Sequence, residues 1–419
     1  MIIPAVHRKL AFRLIGGLFA IAVLFFGYHW IKGFGQDPGD VGRASTEGWI
    51  VALRLHDSGS QVVAIRPDGS ILESPGYQPG KNDRDPVWRP GGNQVFFVSD
   101  RESDAYNLFR WNIGLNLVER RSLGSRSQLQ PVFSPEELGA GTNTALVLAG
   151  GFVLEFNPRE ASTQQVLPPV GREIAQAEAE GGQGAASQFD AAYKRIGNSF
   201  KQARWGKDRK CIVAVMRRDE GEALVVQDMT RAVPPYPLVA GDKVEFDVDR
   251  KTGEVVFVVS GFRVVDPEQA PKEWIKDGRI VVPFDHMIGR FDPTELPPKI
   301  RPVWIGKGDD RSFQQPRLSP DGATLMVQEG PYKGNGSTET KRLVLMPATE
   351  AGARLASVLV DKPVFDAEWH PNGNLVVLCM RNDAGKRAIF TIAKDGSGLK
   401  DLTGDKGDFA DPSFSPQSK

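Results

Sequence analysis

The sequence predicts an all-β chain: a single β-propeller of about seven four-stranded blades, preceded by one N-terminal transmembrane helix. Three observations carry that expectation. A short motif of an extended aromatic segment, a tight turn and an apolar strand recurs along residues 48–416. The two ends of the chain read as complementary parts of one repeat. An uncharged run near the start has the length of a bilayer span.

The repeat is clearest in DPVWRPGGNQVFFVSDRESDAYNLFRW, Asp85 to Trp111. Later copies are QPVFSP at 130–135, QARWGKDRKCIVAVM at 202–216 and VEFDVDRKTGEVVFVV at 244–259. QPRLSPDGATLMVQ at 315–328, DAEWHPNGNLVVLCM at 366–380 and DPSFSP at 411–416 complete the set. One large apolar residue marks each copy: Trp88, Phe133, Trp205, Phe246, Leu318, Trp369 and Phe414. Their spacings are 45, 72, 41, 72, 51 and 45 residues. Four of these suit one blade of roughly 40–50 residues, and the two of 72 require insertions. In the turns, Pro presets φ and Gly takes the positive φ that other residues adopt at a cost, as in Pro320-Asp321-Gly322 and Pro371-Asn372-Gly373. The strand that follows, QVFFV or VVLCM, is apolar on both faces, as a strand between two stacked blades must be.

Blade count follows from the ends. DPSFSP reads as a first strand, and GWIVALRL, SQVVAIRPDG and ILES as second, third and fourth strands. Joined, they make one blade that closes the ring and hides its edges. Six further copies make seven blades. Six is the alternative, if the weak copy near 130 or 244 belongs to a neighbour.

At these residues the chain resembles the TolB-like β-propellers, a family of WD40-like repeats. Ser99-Asp100-Arg101 with Asn107-Leu108-Phe109 is similar to that family's blade almost throughout, and so is DGSGLKDLTGDKGDFADPSFSP, Asp395 to Pro416. The resemblance covers about residues 48–416. It implies a propeller that binds partner proteins of the cell envelope from the periplasm. This chain departs from the family in carrying a membrane anchor, with no evident separate domain between anchor and ring.

The anchor is read from Leu14 to Ile31, whose 18 residues make a helix of about 27 Å against a hydrocarbon core of roughly 30 Å. Arg8, Lys9 and Arg13 precede it, Tyr28 and Trp30 sit at its far end, and Asp37 and Asp40 follow. That asymmetry keeps the N-terminus cytoplasmic and exports the propeller, to a periplasmic or extracellular space. The competing reading is a cleaved signal peptide, for which Gly33-Phe34-Gly35 is only a poor cleavage site. The expected organisation is thus residues 1–13 cytoplasmic, 14–31 in the membrane, 32–47 a linker and 48–419 the propeller.

Composition narrows function by exclusion. Lys plus Arg and Asp plus Glu both number 52, so no bulk field favours nucleic acid. Cys211 and Cys379 lie in apolar runs and read as two buried free thiols, with one long-range disulfide as the alternative. His56, His286 and His370 fall in different repeats, without metal-ligand spacing. PGYQPGKN at 75–82 has too short a spacing for a phosphate loop, and no G-x-S-x-G elbow occurs. Asp83, Asp85, Asp366, Asp408 and Asp411 precede or open first strands near the channel. Such oxygens suit calcium, though capping of turns is the more frequent role of aspartate there. No catalytic residue or cofactor is assigned.

Two insertions, 172–199 and 264–279, and a polar loop, 329–341, remain. Phe189, Ala192, Tyr193, Ile196 and Phe200 recur at helical spacing in the first. Trp274 lies in the second, in a short helical or irregular loop. A connection from a fourth strand to the next blade and a connection between second and third strands emerge on the same face, so all three should share one rim. Phe189, Tyr193, Trp274 and Tyr332 are the candidate partner-binding residues of that rim, since binding is commonly built on loops over a rigid scaffold. The plainer role of the Phe189 stripe is to cover its own blade. Two functions therefore stand: a non-catalytic binding or scaffolding propeller, and a hydrolase or lyase acting at the channel mouth.

Overall fold

The computed structural model describes residues 46–122, 127–133, 144–169, 185–231, 233–265, 272–307, 311–331, 341–350 and 352–416. Seven four-stranded antiparallel sheets follow one another around a ring. Blade 1 is built from both ends, with Asp408–Phe414 innermost and Ile50–His56, Gly59–Ile65 and Ile71–Glu73 outside it. Blades 2, 3 and 4 begin with Asp83–Trp88, Leu129–Phe133 and Ser199–Trp205. Blades 5, 6 and 7 begin with Lys243–Val248, Ser312–Leu318 and Val364–Trp369. The segments near 130 and 244 are thus complete blades, and the count is seven. The anchor expected at Leu14–Ile31 lies outside the described residues; among those described, no helix is long and apolar enough to cross a membrane.

Packing explains the pattern of the second strands. In Gln94–Ser99 every residue is buried. Val95 and Phe97 join a cluster with Val51 and Leu53 of blade 1, while Phe96 and Val98 join Phe133 and Ala145 of blade 3. Alternate side chains serve opposite neighbours, so the middle of the strand is apolar on both faces, while Gln94 and Ser99 at its ends find polar partners in Arg89 and Arg101. The marker residue packs toward the blade before it: Trp88 against blade 1, Trp369 beside Met326 of blade 6. Each of these two indoles also donates to that neighbour, Trp88 Nε1 to the Ser413 carbonyl at 3.0 Å and Trp369 Nε1 to that of Arg317 at 3.1 Å.

Cross-strand pairing corrects one assignment. Trp88, Trp205, Leu318 and Trp369 stand opposite Val95, Ile212, Leu325 and Val376, each seven residues further on. In blade 5 the residue in that position is Val248, opposite Val255. Phe246, two positions earlier, is buried on the same face and mimics the marker by its size.

The turn between first and second strands depends on its glycine. Gly322 has φ of 73°, and Asp321 Oδ1 accepts the Ala323 N–H at 3.0 Å, as the Asp-Gly pair requires. A Cβ at Gly322 would lie 2.2 Å from Asp249 Oδ2 of blade 5, so this turn is also a close contact between neighbouring blades. Both thiols are free and buried. Burial pushes Cys211 up to about 12, which leaves it an inert apolar filler at neutral pH.

Candidate functional site: the channel and the insertion rim

The first strands line the central channel, and their sequence places polar side chains on it at two levels. In Lys243–Val248 buried residues alternate with half-exposed ones, and the half-exposed set faces the axis between neighbouring strands. Three residues before each marker position stand Asp85, Gln130, Gln202, Glu245, Gln315, Asp366 and Asp411. All seven are acids or amides. Each first strand starts at the insertion face, so this level lies toward that face. One residue before the marker, nearer the opposite turn face, are Arg204, Asp247, Arg317, Glu368 and Ser413, with Val87 and Val132.

A backbone device holds the upper level. Asp85, Gln130, Gln315 and Asp411 have φ near +50°, and each precedes a proline. The register of the strand shifts at every one of them. The bulge frees a backbone N–H, and the acid of the preceding blade accepts it. Gln130 donates to Asp85 Oδ2 at 2.9 Å and Gln315 to Glu245 Oε2 at 2.6 Å, while the Asp411 N–H is held by Asp366. Charge-assisted bonds of this kind contribute roughly 1.5–3 kcal/mol each and knit blade to blade.

These contacts decide the role of the five aspartates considered for calcium. Asp83 is buried, pairs bidentately with Arg101 at 2.8 and 2.7 Å, and accepts the Val62 N–H at 3.0 Å. Asp408 accepts the Arg387 N–H at 2.8 Å. Only Asp85, Asp366 and Asp411 keep carboxylates toward the axis, on three successive blades. Among the described residues no group of three or more metal-ligating side chains converges, so the five do not form one oxygen cage.

Burial perturbs all three, and like charge adds to it at Asp411. Burial raises Asp85 and Asp366. Asp411 is pushed up to about 7, by desolvation first and then by the charges of Asp366 and Asp85, although its exposure to channel solvent screens that repulsion. A carboxyl raised in the fold favours the protonated native state, so its contribution to stability is lost as pH rises from about 4 to about 7. We expect Asp411→Asn to flatten the melting temperature between pH 5 and pH 8 and to melt higher than the parent at pH 8. An unchanged pH profile would show that the trio does not share this charge.

Across the channel mouth, blades 5 and 6 present cations instead. Lys243 Nζ donates to Gln314 Oε1 at 2.7 Å and lies 3.2 Å from Glu245. Lys341, buried, donates to the same Gln314 oxygen. Burial, and then the charge of Lys243, bring Lys341 down to about 8.

The insertions sort themselves differently from the sequence expectation. They do connect the predicted strands, and by antiparallel geometry they share one face. The first contributes helix α1, Ala185–Ile196. Tyr193 on it is only 2% exposed; its hydroxyl donates to Gln227 Oε1 at 2.9 Å and its ring meets Phe200 edge-on at 6.0 Å. Tyr193 is therefore core, not a rim contact, and Phe200 belongs to the first strand of blade 4. The side chain of Phe189 and the whole of Tyr332 lie outside the described residues.

In the second insertion the expected loop is a 3₁₀ turn, Lys272–Trp274, followed by a hairpin, Ile275–Lys276 paired with Arg279–Ile280. Asp277-Gly278, both at positive φ, make its two-residue turn. Trp274 is half-buried, edge-on to Phe262 at 6.1 Å and to Phe284 at 5.5 Å, and anchors the hairpin. The side chains left in solvent are Ile275, Ile280 and Val281, at 47%, 36% and 47% exposure. They were not among the expected rim residues. The Asp-Gly pair between Trp-Ile-Lys and Arg-Ile-Val was the signal for them.

The three histidines stay apart: His56 stacks on Tyr77, His286 is buried in blade 5, and His370 meets Phe414 edge-on in the last turn. Ring and channel define the class as a seven-bladed β-propeller. No protein-family model and no curated protein matches the sequence. Among solved structures it is similar to a puromycin-hydrolyzing peptidase of Mycobacterium tuberculosis, with 12% identity and a TM-score of 0.50 over 88% of this chain and 55% of that one. This chain thus spans about half of the peptidase's length. It is also similar to TolB from Acinetobacter baumannii, with 12% identity, TM-score 0.49, and 89% and 68% coverage. An oligogalacturonate lyase in complex with manganese matches at 10% identity, TM-score 0.49, and 85% of both chains. Likeness at this level of identity concerns the fold alone.

Proposed function

We propose that the chain is a non-catalytic, membrane-anchored β-propeller that binds or scaffolds a protein or other envelope component on the exported side of the membrane. The observation that carries this reading is the rim hairpin. Three aliphatic side chains stand in solvent at its base, where Ile275 pairs with Ile280 and Val281 follows, while an aromatic cluster of Phe262, Trp274 and Phe284 holds it rigid. A rigid apolar projection loses little entropy on docking. The point where the described chain enters the ring lies opposite that rim. Thr46, just before the first described strand, hydrogen-bonds Ser415 Oγ at 3.0 Å and the Gly92 carbonyl, both on the turn face.

Two measurements test this. We expect the triple change Ile275→Ser, Ile280→Ser, Val281→Ser to weaken capture of a partner from detergent-solubilised envelopes at least tenfold, with melting within about 2 °C of the parent, as exposed sites allow. Retained capture, with loss on changing Asp321 or Asn372 of the turn face, would reverse the assignment of faces. Protease added outside the cytoplasmic membrane should reach the propeller; a protected ring would overturn the orientation. Shortening 172–199 is not a neutral probe, because Tyr193 and Ile196 are core.

The alternative, catalysis at the channel mouth, has one favourable observation. Lys341, brought down to about 8, is in the range where an amine serves as a general base. Under that reading Lys341→Met abolishes turnover, and under ours it leaves partner capture intact.

A further inference from the structure

We propose that the turn-face end of the channel binds a small oxyanion, a carboxylate or phosphate group, between the guanidinium groups of Arg204, Arg250 and Arg317. Position brings the three together. Arg204 and Arg317 occupy the lower channel level in blades 4 and 6. Arg250 lies in the turn after the first strand of blade 5, between them and at the same end. Electrostatics reports the same convergence. Burial lowers Arg204, and Arg317 and Arg250 both act on it as like charges, while all three arginines act on Glu368 of blade 7.

Their hydrogen-bonding capacity is largely unspent. Arg317 Nη1 donates only to the carbonyl of its own neighbour Pro316, at 3.1 Å. Arg204 approaches only Asp247, at 4.0 Å, and its Nε is enclosed without a hydrogen-bond partner. Arg250 makes no hydrogen bond to the described residues. Structural arginines of the same ring behave otherwise: Arg101 Nη2 donates to both carboxylate oxygens of Asp83, and Arg290 Nη2 reaches Glu254 at 2.7 Å. The nearby acids are occupied, Asp247 by the Leu318 N–H at 2.9 Å and Glu368 by the Ser413 hydroxyl. Among the described residues, none of the three guanidiniums is hydrogen-bonded to a carboxylate, and planar forks of this kind match the paired oxygens of a carboxylate or phosphate. Gathering like charges costs stability unless a ligand supplies the missing anion.

The test uses the full chain in non-ionic detergent and low-salt HEPES, titrated separately with inorganic phosphate and with succinate. We expect at least one to bind saturably and to raise the melting temperature. The tighter of the two identifies the source as an inorganic or a carboxylate anion. Arg204→Gln with Arg317→Gln should weaken that binding at least tenfold, and Arg317→Gln alone by a measurable part of it. Arg159→Gln, at an exposed site of blade 3, should leave it unchanged. Without added anion, Arg317→Gln should melt no lower than the parent. The proposal fails if neither anion saturates, if the arginine variants bind as the parent does, or if Arg317→Gln alone unfolds the ring.

Discussion

Deleting Asp411–Lys419 is expected to remove the cooperative melting transition of the ring. The strand Asp408–Phe414 is the inner strand of blade 1, paired along Ile50–His56. Phe414, 6% exposed, lies in a cluster with Ile50 of its own blade and Val377, Cys379 and Ile389 of blade 7. The deletion also removes the carbonyl that accepts from Trp88 and the Ser415 N–H that donates to the Trp49 carbonyl at 2.8 Å. Loss of a buried phenylalanine alone costs about 3–5 kcal/mol, against a total stability of about 5–15 kcal/mol. An unpaired edge at Ile50–Val51 adds exposure to intermolecular pairing. Circular dichroism melts of parent and truncated chains decide the matter, and matching transitions would exclude a blade shared by the two ends.

Arg101→Ala should be nearly as damaging, although it changes one side chain. Arg101 and Asp83 are 5% and 1% exposed and meet through two short charge-assisted bonds. Arg101 also donates to the Pro75 carbonyl at 2.8 Å and lies 5.0 Å over the Phe97 ring and 5.4 Å over that of Phe109. Removing it leaves a buried carboxylate without its counter-ion, for which a loss of about 3–5 kcal/mol is expected. Adding Asp83→Asn should recover part of that loss, and a double-mutant cycle of denaturant midpoints measures the coupling. Additive effects of the two changes would show that the pair does not act as a unit.

Arg101 also shows what in this fold could be read from residues alone. The Ser-Asp-Arg step was visible as a repeat signature, and its mechanism is the clamp on Asp83. Asp83 itself, viewed singly, was one of five interchangeable acids near a channel. Blade number and the two-ended blade were legible because turns need particular residues: a glycine at positive φ and a spacing of seven between the marker and the second strand. Blade 5 was misaligned by two residues because Phe246 is the larger side chain, whereas the count of seven back from Val255 leads to Val248. Tyr193 was placed on a helical stripe correctly, but periodicity does not say whether a stripe faces core or partner. The channel levels were hidden for a different reason. Arg204, Arg250 and Arg317 come from three blades, and only closure of the ring brings them to one place.

The reading of the molecule as a binding propeller is tested most directly by site-specific photo-crosslinking of the full chain in the cells that make it. A photoreactive residue at Ile280, on the rim hairpin, should trap a discrete partner that one at Asn372, on the turn face, does not. Trapping from Asn372 alone, or none from either position, would contradict it.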